Sequence, residues 1–208
     1  MAGVGQGPRL VLASGSPRRE ELLREAGYTF EVRPSGIAEP PYRGGDPALY
    51  AESLARAKAA AAVAEAPGLG GPDRWPPIGG AMSGEDEIIL AADTVVALDG
   101  EVLGKPRDPD DAAAMLRRLS GRTHRVITAV ATNRGGILRW GHAATEVTFR
   151  ELTPGEIVSY VGGGEPLDKA GAYAIQGGAA GFVERMDGDR DTVIGLPMTL
   201  VRRLLALP

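Results

Sequence analysis

The first residues placed to do chemistry are Ser14, Arg18 and Arg19, in the stretch Leu10-Val11-Leu12-Ala13-Ser14-Gly15-Ser16-Pro17-Arg18-Arg19. An aliphatic run, then Ser-Gly-Ser-Pro, then apolar residues at helical spacing predicts a strand, a tight loop and a helix. Ser16 is the expected N-cap, with Pro17 at the first helical position, so both arginines fall in the first turn. A helix N-terminus already carries about half a positive charge and ordinarily recruits Asp or Glu. An anion resolves that conflict: free backbone N–H groups, serine hydroxyls and two guanidinium forks converging on one point suit a polyphosphate. The plain alternative, an ordinary helix start with solvated arginines, stays open on these residues alone. The chain contains no G-x-x-x-x-G-K-[ST] loop.

Asp93 is the second candidate. Residues 88–98 form a nearly continuous apolar run interrupted by this one carboxylate, the pattern of a strand buried on both faces. A buried unpaired carboxylate costs several kcal/mol, so Asp93 requires a cationic or metal partner, and Lys105 is the nearest candidate in sequence. The alternative is a turn or bulge residue at a strand end. The two histidines, His124 and His142, lack triad or ligand spacing and read as structural or surface groups. The polar, glycine-rich stretch 165–178 is dense in hydrogen-bonding side chains, the kind of loop where binding groups concentrate.

The totals narrow the chemistry. In 208 residues there is no cysteine, which excludes disulfides, thiolate nucleophiles and cysteine-type zinc sites and suits a cytoplasmic protein. The work falls to carboxylates, lysines, arginines and a hard metal ion. A formal net charge of −4 argues against broad electrostatic binding of nucleic acid or anionic membrane, and no apolar run is long enough to span a bilayer.

The elements expected to position these groups follow in order. Residues 1–8 read as a disordered lead-in and 9–208 as a single domain. After the first helix, stopped at Gly27, residues 28–32 alternate as a strand, and 34–45 form a loop containing Glu39. Asp46-Pro47 opens a helix to about Ala66 that carries Lys58 among alanines. Residues 67–87, rich in proline and glycine, read as a surface insertion. Asp99-Gly100 predicts a hairpin, Asp108-Pro109 a helix ending near Gly121, residues 124–132 and 137–149 two strands, and Thr153 to Glu156 a capping-box helix. A last hairpin is expected about Asp187-Gly188, pairing 181–186 with 191–194, before a terminal helix over 196–207.

Taken together, Leu12-Ala13-Ser14-Gly15-Ser16-Pro17-Arg18-Arg19, Ala91-Ala92-Asp93-Thr94-Val95-Val96, Gly104-Lys105-Pro106, Leu119-Ser120-Gly121-Arg122-Thr123-His124 and Glu165-Pro166-Leu167-Asp168-Lys169-Ala170-Gly171 closely resemble the Maf family of nucleotide pyrophosphatases. The resemblance runs in order from about residue 9 to 206. It implies a mixed α/β fold with an elongated, twisted sheet, flanking helices and a cleft between two lobes, similar to the inosine triphosphate pyrophosphatases. It implies a cut between the α and β phosphates assisted by Mg2+ or Mn2+, and a homodimer. Ser14, Arg18 and Arg19 would hold the triphosphate, Lys58, Lys105 and Lys169 would offset its charge, and Glu39 and Asp93 would hold the metal, with Asp93 also the base and Lys105 beside it in the catalytic pair. A departure sits at Ala38, where many members carry a second acid before the one matching Glu39.

Within the family, Arg18, Thr94 and Gln176 resemble the branch acting on dTTP and UTP, whereas relatives acting on 7-methyl-GTP carry an aromatic residue, glutamine and glutamate there. An amide at Gln176 offers both a donor and an acceptor to a uracil or thymine edge. A 7-methyl-GTP pyrophosphatase and a non-catalytic regulator of septum formation are the rival readings, and the acidic net charge weighs against direct nucleic-acid binding.

Overall fold

The computed structural model describes residues 8–64 and 87–206. The lead-in apart from Pro8, the insertion apart from Glu87, and the end of the long helix after Ala64 lie outside the described residues.

Strands β1 (Arg9–Leu12), β2 (Phe30–Val32), β3 (Glu87–Leu98), β4 (Glu101–Leu103), β5 (Thr123–Arg134), β6 (Ile137–Phe149) and β7 (Val183–Asp187) form one mixed sheet in the order β2-β1-β3-β5-β6-β7, with β4 also on β3. The first three are mutually parallel and the remaining pairs antiparallel. Helices α1 (Pro17–Glu25), α2 (Pro47–Ala64), α3 (Pro109–Leu119), α4 (Pro154–Gly162), α5 (Arg190–Ile194) and α6 (Met198–Leu205) flank it.

β3 organises the molecule because its alternating side chains feed two different cores. Leu90, Ala92, Val96 and Leu98 join the larger one with residues of α1, α3 and α6. Ile89, Ala91, Val95 and Ala97 face the other, where Ala51, Ala55, Ala59 and Ala62 of α2 lie against them. Alanines bring a helix backbone close to the sheet, since there is little side chain to hold it off.

On one flank β3 has two successive neighbours: β1 pairs with it as far as Leu90, and β4 from Val96 onward. Between them the edge of β3 is open over the segment that carries Asp93 and Thr94, while β5 pairs continuously along the other flank. Adjacent strand residues point to opposite faces, so Asp93 faces α2 and Thr94 faces α1 and α5. A ligand entering the gap can meet both.

Several expectations hold in detail. Asp99 and Gly100 both adopt positive φ, as a two-residue hairpin requires. Asp108 caps α3, and Thr153 and Glu156 form the reciprocal capping box of α4. Asp93 lies in regular register opposite Ala129 in mid-strand, as the reading of a strand buried on both faces expects. Two are corrected. β7 pairs with β6, and residues 191–194 are helical instead of a returning strand, because the Asp189 carboxylate accepts the Asp191 N–H and nucleates α5. The terminal helix starts at Met198, after Pro197.

Candidate active site

At the gap in β3 a cleft of about 520 Å³ opens, of a size that takes a small molecule. One wall is the loop after β1 with the first turn of α1. Ser16 occupies the N-cap position with no side-chain cap bond, and Ser14 Oγ instead accepts the Ser16 N–H at 3.2 Å. Ser14 also accepts from Arg19 Nη1 at 3.0 Å, while Arg19 Nε donates to the Gly195 carbonyl at 2.8 Å and Nη2 to Thr94 Oγ1 at 3.2 Å. Arg19 thereby ties α1 to β3 and to the end of α5. Burial lowers its pKa, against the pull of Asp93 and Glu39. Arg18 also lines the cleft.

Across the sheet, Lys58 reaches from α2 to Asp93 Oδ1 at 2.6 Å and to Glu39 Oε1 at 2.7 Å. The predicted partner of Asp93 was Lys105; the bonded partner is Lys58, because Asp93 points at the α2 face and the alanines on either side of Lys58 bring that helix within reach. Asp93 is 6% exposed. Burial raises its pKa, with Lys58 and Arg19 opposing and Glu39 adding to the rise. At Glu39 burial also favours the neutral acid, but Lys58, Lys105 and Arg19 outweigh it and the pKa is lowered. The loop carrying Glu39 is held by the Tyr50 hydroxyl, which donates to the Pro40 carbonyl at 2.7 Å.

The far wall is built from the end of β4 and the 3-10 turns Glu165–Asp168 and Ala170–Ala172. The Gly171 N–H donates to the Gly104 carbonyl at 3.0 Å, which seats Lys169 and Lys105 on the same wall of the cleft. Lys169 is ion-paired with Asp168. Val96, Val126, Tyr173, Val193 and Ile194 supply an apolar surface. Tyr173 is fixed from behind by His124, whose Nε2 lies 2.8 Å from its hydroxyl.

The structure thus gathers Ser14, Arg18, Arg19, Glu39, Lys58, Asp93, Thr94, Lys105 and Lys169 around one cleft. Gln176 is exposed and outside the cleft lining. Sequence reasoning did not single out Tyr50, the apolar wall or Thr128 behind Thr94; the signal for Thr128 was one hydroxyl in the apolar run Val126-Ile127-Thr128-Ala129-Val130.

Comparison with protein families matches residues 9–207 to the family described as Maf-like protein. This chain belongs to the Maf family. Among curated Maf relatives, the dTTP/UTP pyrophosphatase of Moorella thermoacetica is 49% identical over 201 residues, covering 96% of this chain and 94% of that protein. The dTTP/UTP pyrophosphatase of Escherichia coli O157:H7 is 46% identical over 197 residues, covering 95% and 91%. Among solved structures, a HAM1 protein from Coxiella burnetii aligns over 68% of this Maf chain and 73% of its own, with 14% identity and a TM-score of 0.39.

Two acidic side chains, Asp93 and Glu39, converge on one cation, and among the described residues no group of three or more acidic or histidine side chains forms a cage for an ion. Two hard oxygen donors in a cleft lined by cationic side chains fit the donor chemistry of Mg2+ or Mn2+, ions that proteins hold through one or two carboxylates.

Proposed function

We propose that this protein hydrolyses dTTP and UTP between the α and β phosphates, releasing a nucleoside monophosphate and pyrophosphate. The observation that carries the reading is the buried Asp93 carboxylate, held by Lys58 in the gap of β3 and faced by cationic groups from three sides of the same cleft. The two relatives above, similar over nearly their whole length, supply the substrate class.

In this reading Ser14, Arg18 and Arg19 bind the triphosphate, and Lys105 and Lys169 approach it from the opposite wall. Asp93 accepts a proton from a water molecule as the water oxygen bonds to the α phosphorus. The bond from that phosphorus to the bridging oxygen breaks, and pyrophosphate leaves with the electron pair. Burial suits Asp93 to the role, since a raised pKa makes a carboxylate a better base near neutrality. Lys58 holds Asp93 in place and compensates its charge. Asp93 and Glu39 would hold a divalent ion, which supplies charge neutralisation at the phosphates when bound. The apolar wall beside Tyr173 receives the base. A homodimer and a cytoplasmic site of action complete the proposal.

The test is a panel of dTTP, UTP, CTP, GTP and 7-methyl-GTP with Mg2+ or Mn2+, products being separated by chromatography. Turnover of dTTP and UTP is expected, with Asp93→Asn slowed by about 10²–10⁴-fold. Faster turnover of 7-methyl-GTP than of UTP would contradict the substrate assignment, and an Asp93→Asn protein of unchanged rate the role of the base.

A further inference from the structure

Thr128 is completely buried on β5, directly opposite Thr94 in the sheet, and does not line the cleft. Its Oγ1 lies 2.7 Å from the Thr192 carbonyl oxygen and 2.9 Å from Thr94 Oγ1. A carbonyl only accepts and a hydroxyl has one proton, so Thr128 donates to Thr192 and must accept from Thr94. Thr94 has then committed its own proton, and one of its two lone pairs receives Arg19 Nη2. A single lone pair is all that Thr94 Oγ1 can offer the cleft. The same count at Ser14 gives the opposite sign: both lone pairs accept, from Arg19 Nη1 and the Ser16 N–H, and its proton is left over among the described residues. One directed chain of bonds makes Ser14 a donor and Thr94 an acceptor.

We propose that Thr128 is a specificity-determining positioning residue, which commits Thr94 to accept and so selects a substrate presenting an N–H donor there. The inference rests on the nucleotide reading above. The nucleotides of that reading, dTTP and UTP, share one group of this chemistry, the imide N–H of the base. The ring nitrogen of cytosine that takes the place of the imide is an acceptor. Opposing two lone pairs, or leaving a desolvated one unpaired, is how such a site rejects an analogue.

The experiment compares kcat/KM for UTP and CTP in the wild type, Thr128→Val and Thr128→Ser. Valine keeps the shape, removes both bonds and frees the Thr94 proton to turn into the cleft. The UTP-to-CTP ratio is expected to fall at least fivefold in the valine variant, and serine to restore it. Thr128→Ala, which removes the same hydroxyl, takes the place of valine if that variant does not fold. A general loss of activity with the ratio unchanged would overturn the inference while leaving the functional reading intact, as would a wild type that treats the two nucleotides alike. A wild type inactive on every pyrimidine triphosphate would overturn the functional reading, and this one with it, before any variant is made.

Discussion

His124 shows how one buried side chain supports the site without touching it. It is 2% exposed, packs edge-on against Phe149 and Tyr173, and has its pKa lowered by burial to about 4. An unfolded histidine titrates near 6.5, so below that pH the unfolded chain binds the proton that the folded one refuses. Stability is therefore full above pH 6.5 and falls as the pH drops towards 4, where the folded state also protonates. Between about pH 7.5 and pH 5 this group should cost the wild type about 2 kcal/mol, a loss absent from His124→Phe. Urea unfolding of both proteins at the two pH values checks it, and equal losses would contradict it. The reading of His124 as structural was available from the sequence, where no partner stood at triad spacing. Its contact with Tyr173 was not, because the two residues meet only when β5 and the 3-10 turns pack together.

The elements were legible wherever local chemistry decides them. Proline at the first position of α1, α2, α3 and α4, the Asp108 and Thr153 caps, and the Asp99-Gly100 turn act within a few residues of themselves. The segment after β7 was misread because Asp187-Gly188 is a hairpin signal and Thr192, Val193 and Ile194 are β-branched, whereas the Asp189 cap decides in favour of helix. Gly171 is an element-scale device: it has φ +68°, and a Cβ there would lie 2.9 Å from Val96 Cγ2 on β3. Gly171→Ala combines left-handed strain with an overlap against the sheet, and is expected to destabilise by about 2–4 kcal/mol. It should also raise KM for the nucleotide, since the displaced turn carries Lys169. Urea unfolding with steady-state kinetics reads both; an alanine variant of wild-type stability would refute the packing argument.

At the scale of the whole molecule, the gap in β3 was beyond sequence reasoning. Which strand pairs with which is a long-range matter, and the apolar run of β3 looks the same whether its flank is covered or open. For that reason Asp93 was identifiable as a carboxylate needing a partner while Lys58, on a helix remote in sequence, was not identifiable as that partner. Net charge misleads at this scale too: the chain is at −4, yet its cleft draws Arg18, Arg19, Lys58, Lys105 and Lys169 together. Attraction of a triphosphate to that cleft is screened by salt, so KM for UTP should rise severalfold between about 0.02 M and 0.5 M salt while kcat changes less. A KM indifferent to ionic strength would count against the cationic cleft as the phosphate site. Light scattering tests the proposed homodimer, and a monomer at all concentrations would contradict it.

The central claim is attack of water on the α phosphorus, and isotope placement tests it most directly. UTP is hydrolysed with Mg2+ in water enriched in 18O, and the products are analysed by mass spectrometry. The account predicts uridine monophosphate carrying one 18O atom and unlabelled pyrophosphate. Label in the pyrophosphate, release of orthophosphate as the first product, or no hydrolysis at all would contradict it.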